Sequence, residues 1–600
     1  MINKENYLNN KRNQLEKILL EDTKLFNFIN QLVAKRINVE FNSKYSESYL
    51  WRHALFLSSK GSFLLKNNFK DEIGIQSVKT AAEIYENLYY TSKKYEKGYL
   101  LILASLCYDI AGYQANAKCL IDKYNELGSD LENYYSFEND EEDIIGIYEN
   151  KVLKTIQLFL QKKIFLLNAE KGKIEHIYET KNINYYYFFE DFLKSIDYLS
   201  KFILKGEENN YKEYISRSYE NILYSGNVTL SHLLNLFDVR LSLFQQRNIW
   251  DVLNKYVDTN NIIWNKYIKL LTMDIYGKNG LKPIQERISR FEFWQSQLKA
   301  INTGILLDED SYILQMPTSA GKTFVAETMI INSLINNPDT KCIYIAPFKS
   351  LAFEVYENFS NNLNKLGFNV SKSSGDYEID EYEFQWMKNA DILIATPEKI
   401  DLLYRIRPEF FKDISLVVID EGHIIGNDGL RSSLFELLIT KLKIKLRKNM
   451  LETRFLFISA VMSDDDSKEF SEWFSNETQN ILSSPKIFGK EWEPTRKLIG
   501  YFEWNRSQTK GRINYIDKDN HNLFLQNIIE KRRYKYYFKP TKGTRNREFP
   551  FYNYKEKKFH RVDTCVELAY KFVDEGNILI FVPTTTLAKS TANSFLRLFE

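Results

Sequence analysis

Six hundred residues, 44% of them hydrophobic and 27% charged, describe a globular chain with material for several cores, about three to four domains by length. A net charge of only +2 excludes a molecule that attracts polyanions over its whole surface, so any nucleic-acid surface is a local patch. The four cysteines, Cys107, Cys119, Cys342 and Cys565, form no C-x-x-C pair, which argues against a disulfide framework or a zinc site and fits isolated thiols in a reducing compartment.

The first residues, M-I-N-K-E-N-Y-L-N-N-K-R, lack the apolar core of an export signal. The stretch Tyr99 to Tyr113 is interrupted by Asp109 and is too short to span a bilayer. A cytoplasmic protein with no membrane partner is therefore expected. From residue 1 to 275, apolar residues recur at three- and four-residue intervals and Gly and Pro are scarce, which predicts helix after helix. Small residues at Ala104, Ala111 and Ala115 suggest a face on which helices approach closely, and the acidic stretch Gly128 to Asp143 reads as a loop between two helical halves.

Near residue 290 the pattern changes. Short apolar runs at Tyr312–Gln315, Cys342–Ile345, Ile392–Ala395, Leu416–Ile419 and Phe455–Ile458 alternate with helical segments, the mark of a parallel sheet covered on both faces. A second such unit is expected from about Thr564, with Ile578–Val582 as a strand.

The first run leads into M-P-T-S-A-G-K-T and then a helix-prone segment. A strand feeding a Gly-Lys-Thr loop at a helix start presents backbone N–H groups to phosphate. Lys322 adds a mobile cation for the outer phosphates, and the Thr323 hydroxyl can ligate magnesium. Met316 stands where the usual phosphate-loop pattern begins with glycine. Ninety-eight positions beyond Lys322, the run Leu416–Ile419 ends in D-E-G-H. A carboxylate at the end of a buried strand suits a magnesium ligand, Asp420, with Glu421 placed to orient or deprotonate water. His423 has no neighbouring histidine or cysteine and reads as a coupling residue rather than a metal ligand.

The ordered motifs resemble the superkiller-type (Ski-like) branch of superfamily 2 DExH-box helicases. Pro317, Thr318, Ser319, Ala320, Gly321, Lys322 and Thr323 match its motif I; Ala346–Ala352 (A-P-F-K-S-L-A) is similar to motif Ia and Ser374–Asp376 to its T-G-D element. Ala395–Lys399 (A-T-P-E-K) resembles motif Ib, Asp420–His423 motif II, and Ser459, Ala460 and Val461 motif III. W-Q-S-Q-L-K-A-I upstream resembles the Q motif, with Gln297 as the adenine contact and Gln295 as the competing choice. Trp492–Arg496 resembles the linker to a second motor domain, and Phe581–Thr586 lies where motif IV belongs, without its usual basic residue.

The resemblance implies an α/β RecA-like P-loop motor preceded by an all-α domain, with ATP and Mg2+ as cofactors. It also implies nucleic-acid backbone contacts by Pro347, Lys349, Ser350, Thr396, Pro397 and Lys399, and coupling through Ser459 and Ala460. The expected organisation is a helical interaction domain over 1–275, a first motor domain over 276–490, a linker over 491–505, a basic and aromatic insert over 506–563, and the start of a second motor domain over 564–600. Motifs V and VI, with their arginine fingers, do not occur, so a longer parent protein is expected. Between Lys531 and Arg561 twelve basic residues interleave with nine aromatic ones, a composition that suits single-strand binding or, equally, a solvated hairpin packed on the motor.

A large helical domain on such a motor is similar to the helicase subunit of Hachiman-type antiphage systems. That implies a 3′→5′ helicase or translocase on single-stranded or partly duplex DNA, with a small nuclease subunit docking on residues 1–275. An RNA or DNA-repair helicase of the same branch, or an ATP-gated sensor controlling a partner nuclease, stays open.

Overall fold

The computed structural model describes residues 4–21, 46–91, 97–127, 141–172, 183–207, 210–273, 288–307, 311–316, 320–373, 379–425, 430–446, 453–460, 468–470, 472–473, 481–482, 499–504, 510–516, 522–530, 552–553, 558–559, 561–573 and 577–599. Pro317, Thr318, Ser319, Ser374–Asp376, Val461, Trp492–Arg496 and most of the basic stretch lie outside the described residues. Two compact units are present: residues 62–78 with 101–495, and residues 1–61 with 79–100 and 496–600.

Up to Thr272 the described chain is helical. Ile183–Lys205 shows why: its buried residues Tyr185, Phe188, Phe189, Phe192, Ile196, Leu199 and Ile203 repeat at three or four positions and form one stripe. Val228–Arg247 is buried on nearly every side and forms the centre of its layer. Asparagines start several of these helices: Asn227, Asn248 and Asn261 accept from the backbone N–H groups of Leu230, Asp251 and Ile263. Two expectations change here. Ala104 and Ala115 do not share a helix, because Gly112 at φ +91° separates Lys97–Ile110 from Gln114–Asp122. Of the stretch 128–143, expected as a loop, residues 128–140 lie outside the described residues, and the helix Glu141–Leu160 takes in the last three.

The sheet expected from the apolar runs is present and parallel. Its strands are β1 (Ser311–Gln315), β2 (Lys341–Ile345), β3 (Val370–Ser373), β4 (Ile392–Ala395), β5 (Ile414–Ile419), β6 (Arg454–Ser459) and the two-residue β7 (Ile481–Leu482), in the order β3-β4-β2-β5-β6-β1-β7. Strands β2, β4, β5 and β6 are buried almost throughout, as both-face coverage by helices requires. Register aligns their C-terminal ends: Gln315 opposes Ser459, Ile419 opposes Phe457, and Ile345 lies between Ala395 and Ile419. In open parallel sheets that edge carries ligands.

In the other unit, Ile499–Trp504, Lys510–Ile516 and Asn522–Glu530 form a three-stranded antiparallel sheet. The Arg561–Phe572 and Thr585–Phe599 helices follow. Ile578–Val582, expected as a strand, is not one. Leu579 and Phe581 are 81% and 90% exposed, and no strand among the described residues supplies the ladder a parallel strand needs.

Candidate nucleotide site and nucleic-acid edge

Gly321 and Lys322 sit where β1 gives way to the helix Lys322–Asn336. Gly321 caps that helix at φ +85°, in the left-handed region, which glycine adopts without strain. A Cβ there would lie 1.9 Å from Gln297 Nε2, so only glycine lets the glutamine cover the loop. Gln297 is itself fixed: it is buried, and its Oε1 accepts from Trp294 N at 2.9 Å, closing the start of the helix Gln295–Asn302. Beside it, Ser296 Oγ donates to Ala320 O at 3.2 Å. Of the two glutamines, Gln297 is the one brought against the loop.

Asp420 and Glu421 follow β5, one strand beyond β6 from β1. Lys322 Nζ lies 3.1 Å from Glu421 Oε1, so two segments far apart in sequence meet as an ion pair. Asp420 is buried, takes a hydrogen bond from Tyr344 on β2 at 2.6 Å, and accepts from Glu421 N at 2.9 Å. Burial raises the Asp420 pKa above the ordinary carboxylate range, against the opposing pull of the Tyr344 hydroxyl and the Lys322 charge. Burial and the adjoining Asp420 raise the Tyr344 phenol far more, so it stays a donor; the Thr323 side chain meets the same phenol.

Glu421 adopts φ +52°, a left-handed conformation that costs a residue other than glycine on the order of 1 kcal/mol. The strained turn aims its carboxylate at Lys322, with Oε2 3.2 Å from His423 Nδ1. Ser459 Oγ lies 3.3 Å from the same nitrogen, and Ala460 follows at the end of β6. Motif-II acid, histidine and motif-III serine thus form one contiguous row.

The neighbouring edge is less uniform. Pro347 is buried, while Lys349 and Ser350 are exposed at the start of the helix Lys349–Leu363. Thr396 and Pro397 are buried at the start of the helix Pro397–Ile406. Lys399, expected to reach phosphate, is 4% exposed and lies 3.2 Å from Glu383, whose other oxygen accepts from Ser373 Oγ at 2.6 Å. It ties the helix Pro397–Ile406 to Glu383 and through it to Ser373 at the end of β3, instead of facing outward. Arg431 was not singled out in the sequence, yet it donates to Pro347 O, pairs with Glu398 at 3.1 Å and lies over the exposed Phe348 ring. Tyr344 was also missed, since a tyrosine within a strand reads as core.

Residues 294–470 match the DEAD/DEAH box helicase family model. This segment is a helicase domain of that family. The chain is 28% identical over 545 residues to "Hachiman protein HamB" of Bacillus cereus, an alignment covering 87% of this chain and 42% of that protein. It is 32% identical over 211 residues to "ATP-dependent DNA helicase Hel308" of Methanocaldococcus jannaschii, covering 34% of this chain and 16% of that protein. It therefore spans well under two thirds of either relative. Among solved structures, the DUF1998 helicase MrfA matches at 19% identity with a TM-score of 0.28, over 37% of this chain and 32% of that one; a score this low adds nothing to the sheet order itself. Among the described residues there is no helix long and apolar enough to cross a membrane and no group of three or more metal-ligating side chains.

Proposed function

We propose that this chain binds and hydrolyses ATP to drive movement on DNA, in the 3′→5′ direction, as part of bacterial antiphage defence. The carrying observation is the meeting of Lys322 with Glu421, beside a buried Asp420, at the C-terminal edge of one parallel sheet. The alignment with HamB over most of the chain supports the defence reading, and the Hel308 name supports DNA as the track.

The residues fit a magnesium-bound triphosphate. Gly321 keeps the left-handed turn on which Gln297 is seated, Lys322 is a cation paired with an acid, Glu421, and Asp420 and Thr323 carry oxygen atoms that suit a hard cation. Bound there, the nucleotide and its metal supply the transferable phosphoryl group and neutralise charge on it. Lys322 exchanges the Glu421 carboxylate for phosphate oxygens, which leaves Glu421 free to accept a proton from water. Asp420 and Thr323 would hold the metal, and Gln297 would bond the adenine edge. His423 and Ser459 pass the state of Glu421 to the end of β6. Lys349, Ser350 and Arg431 donate to the nucleic-acid backbone, with Thr396 and Pro397 shaping that edge. A small nuclease subunit docked on residues 1–275 completes the proposal.

The test compares ATPase stimulation by single-stranded DNA and RNA of equal length. Stronger stimulation by DNA is expected; equal or greater stimulation by RNA would transfer the reading to an RNA helicase.

A further inference from the structure

The segment Ser289–Trp294, just ahead of Gln297, is threaded into the helical layer of its unit. Ser289 N donates to Lys162 O, Arg290 N to Leu271 O and Phe293 N to Arg247 O, while Ile249 N donates back to Phe291 O. At its centre Glu292 is buried with no side-chain exposure, holding Arg240 Nη2 at 2.6 Å and Lys162 Nζ at 3.0 Å. Arg240 also grips Asp109 at 2.8 Å, so one guanidinium ties two helices to this segment. On the next residue, the Phe293 ring packs on Phe324 at 5.6 Å, two positions beyond Lys322 in the phosphate-loop helix. Two residues on, Trp294 N fixes Gln297.

We infer that Glu292, clamped by Arg240 and Lys162, is a positioning residue for the nucleotide: it holds the segment that sets Gln297 and the phosphate-loop helix in register. A buried ion network is costly to assemble and is weak evidence for stability alone. Two carboxylates here face three buried or half-buried cations, Lys162, Arg240 and Arg247, and among the described residues Asp109 Oδ1, Arg240 Nη1, Arg247 Nη1 and Glu292 Oε2 find no hydrogen-bond partner. An apolar cluster would hold the same helices together; what the charges add is one fixed orientation of residues 289–294. Base recognition by Gln297 then depends on groups in the helical layer that touch no nucleotide.

The inference rests on the Gln297 reading above, so the experiment separates the two. In the full chain, ATP and GTP hydrolysis are compared for wild type, Gln297→Ala, Glu292→Gln and Lys162→Met, with circular dichroism confirming the fold. Lys162 is partly exposed, and its loss leaves the Arg240 contact intact, so this variant remains informative if Glu292→Gln does not fold. The expected result is an ATP KM raised about tenfold in Glu292→Gln and severalfold in Lys162→Met, with kcat changed less and the preference for ATP over GTP reduced. A merely structural role would lower both nucleotides' activity in parallel. Reduced preference in Gln297→Ala with wild-type preference in the folded clamp variants would overturn this inference; unchanged preference in Gln297→Ala would overturn the Gln297 reading itself.

Discussion

The edge that carries Lys322 and the neighbouring edge proposed to meet nucleic acid lie on the same end of one sheet, yet they treat their lysines in opposite ways. At the first, Lys322 meets Glu421 across two strands, and its charge also acts on the buried Asp420. At the second, Lys349 stands in solvent while Lys399 is buried against Glu383. A motif thus fixes where a residue sits on the sheet, but its partner decides whether the side chain is available. That partner comes from another element, which the motif does not contain.

Breaking the first edge should have the largest effect. Lys322→Ala or Asp420→Ala is expected to lower magnesium-dependent ATP turnover roughly a thousandfold while leaving the circular dichroism spectrum intact; steady-state hydrolysis checks it. Gly321→Ala comes next. It forces a Cβ into Gln297 at a left-handed backbone position, so nucleotide affinity should fall at least tenfold, measurable by titration with a fluorescent ATP analogue.

Tyr344→Phe sharpens how the acids are tuned. The Tyr344 hydrogen bond lowers the Asp420 pKa against the upward push of burial, so its removal leaves the carboxyl more easily protonated. The acid limb of the ATPase pH profile should therefore move to higher pH, and an unmoved limb would mean that Asp420 does not control it.

The smallest effects test the lysine contrast directly. Lys349→Ala should weaken DNA binding and reduce the slope of log affinity against log salt by about 1. Lys399→Ala should leave that slope unchanged and instead cost about 1–3 kcal/mol of stability, because it strips Glu383 of a buried partner. A salt-slope change in Lys399→Ala would erase the distinction.

Much of this was legible in the sequence for identifiable reasons. β1, β2, β4, β5 and β6 are short apolar runs because helices cover both faces; Lys322 and Asp420 stand at strand ends in the order a phosphate site needs, and Gln297 was indicated by the resemblance of its surroundings to the Q motif. β3 was not legible: Val370–Ser373 is an edge strand, only one of its four residues is fully buried, and its composition is that of a loop. The left-handed Glu421, the Tyr344 bond and the fate of Lys399 each depend on contacts between distant elements, which leave no periodic trace. The run Ile578–Val582 failed in the other direction, since apolar composition does not make a strand where none of the described residues offers a neighbour to pair with.

The most direct test is a double-mutant cycle on magnesium-dependent ATP hydrolysis with Lys322→Ala, Asp420→Ala and the combined variant. If the two residues grip one ligand, the double variant should be little worse than either single variant. Losses that multiply would mean that the loop and the acidic pair act on separate sites, contrary to the geometry of the sheet edge.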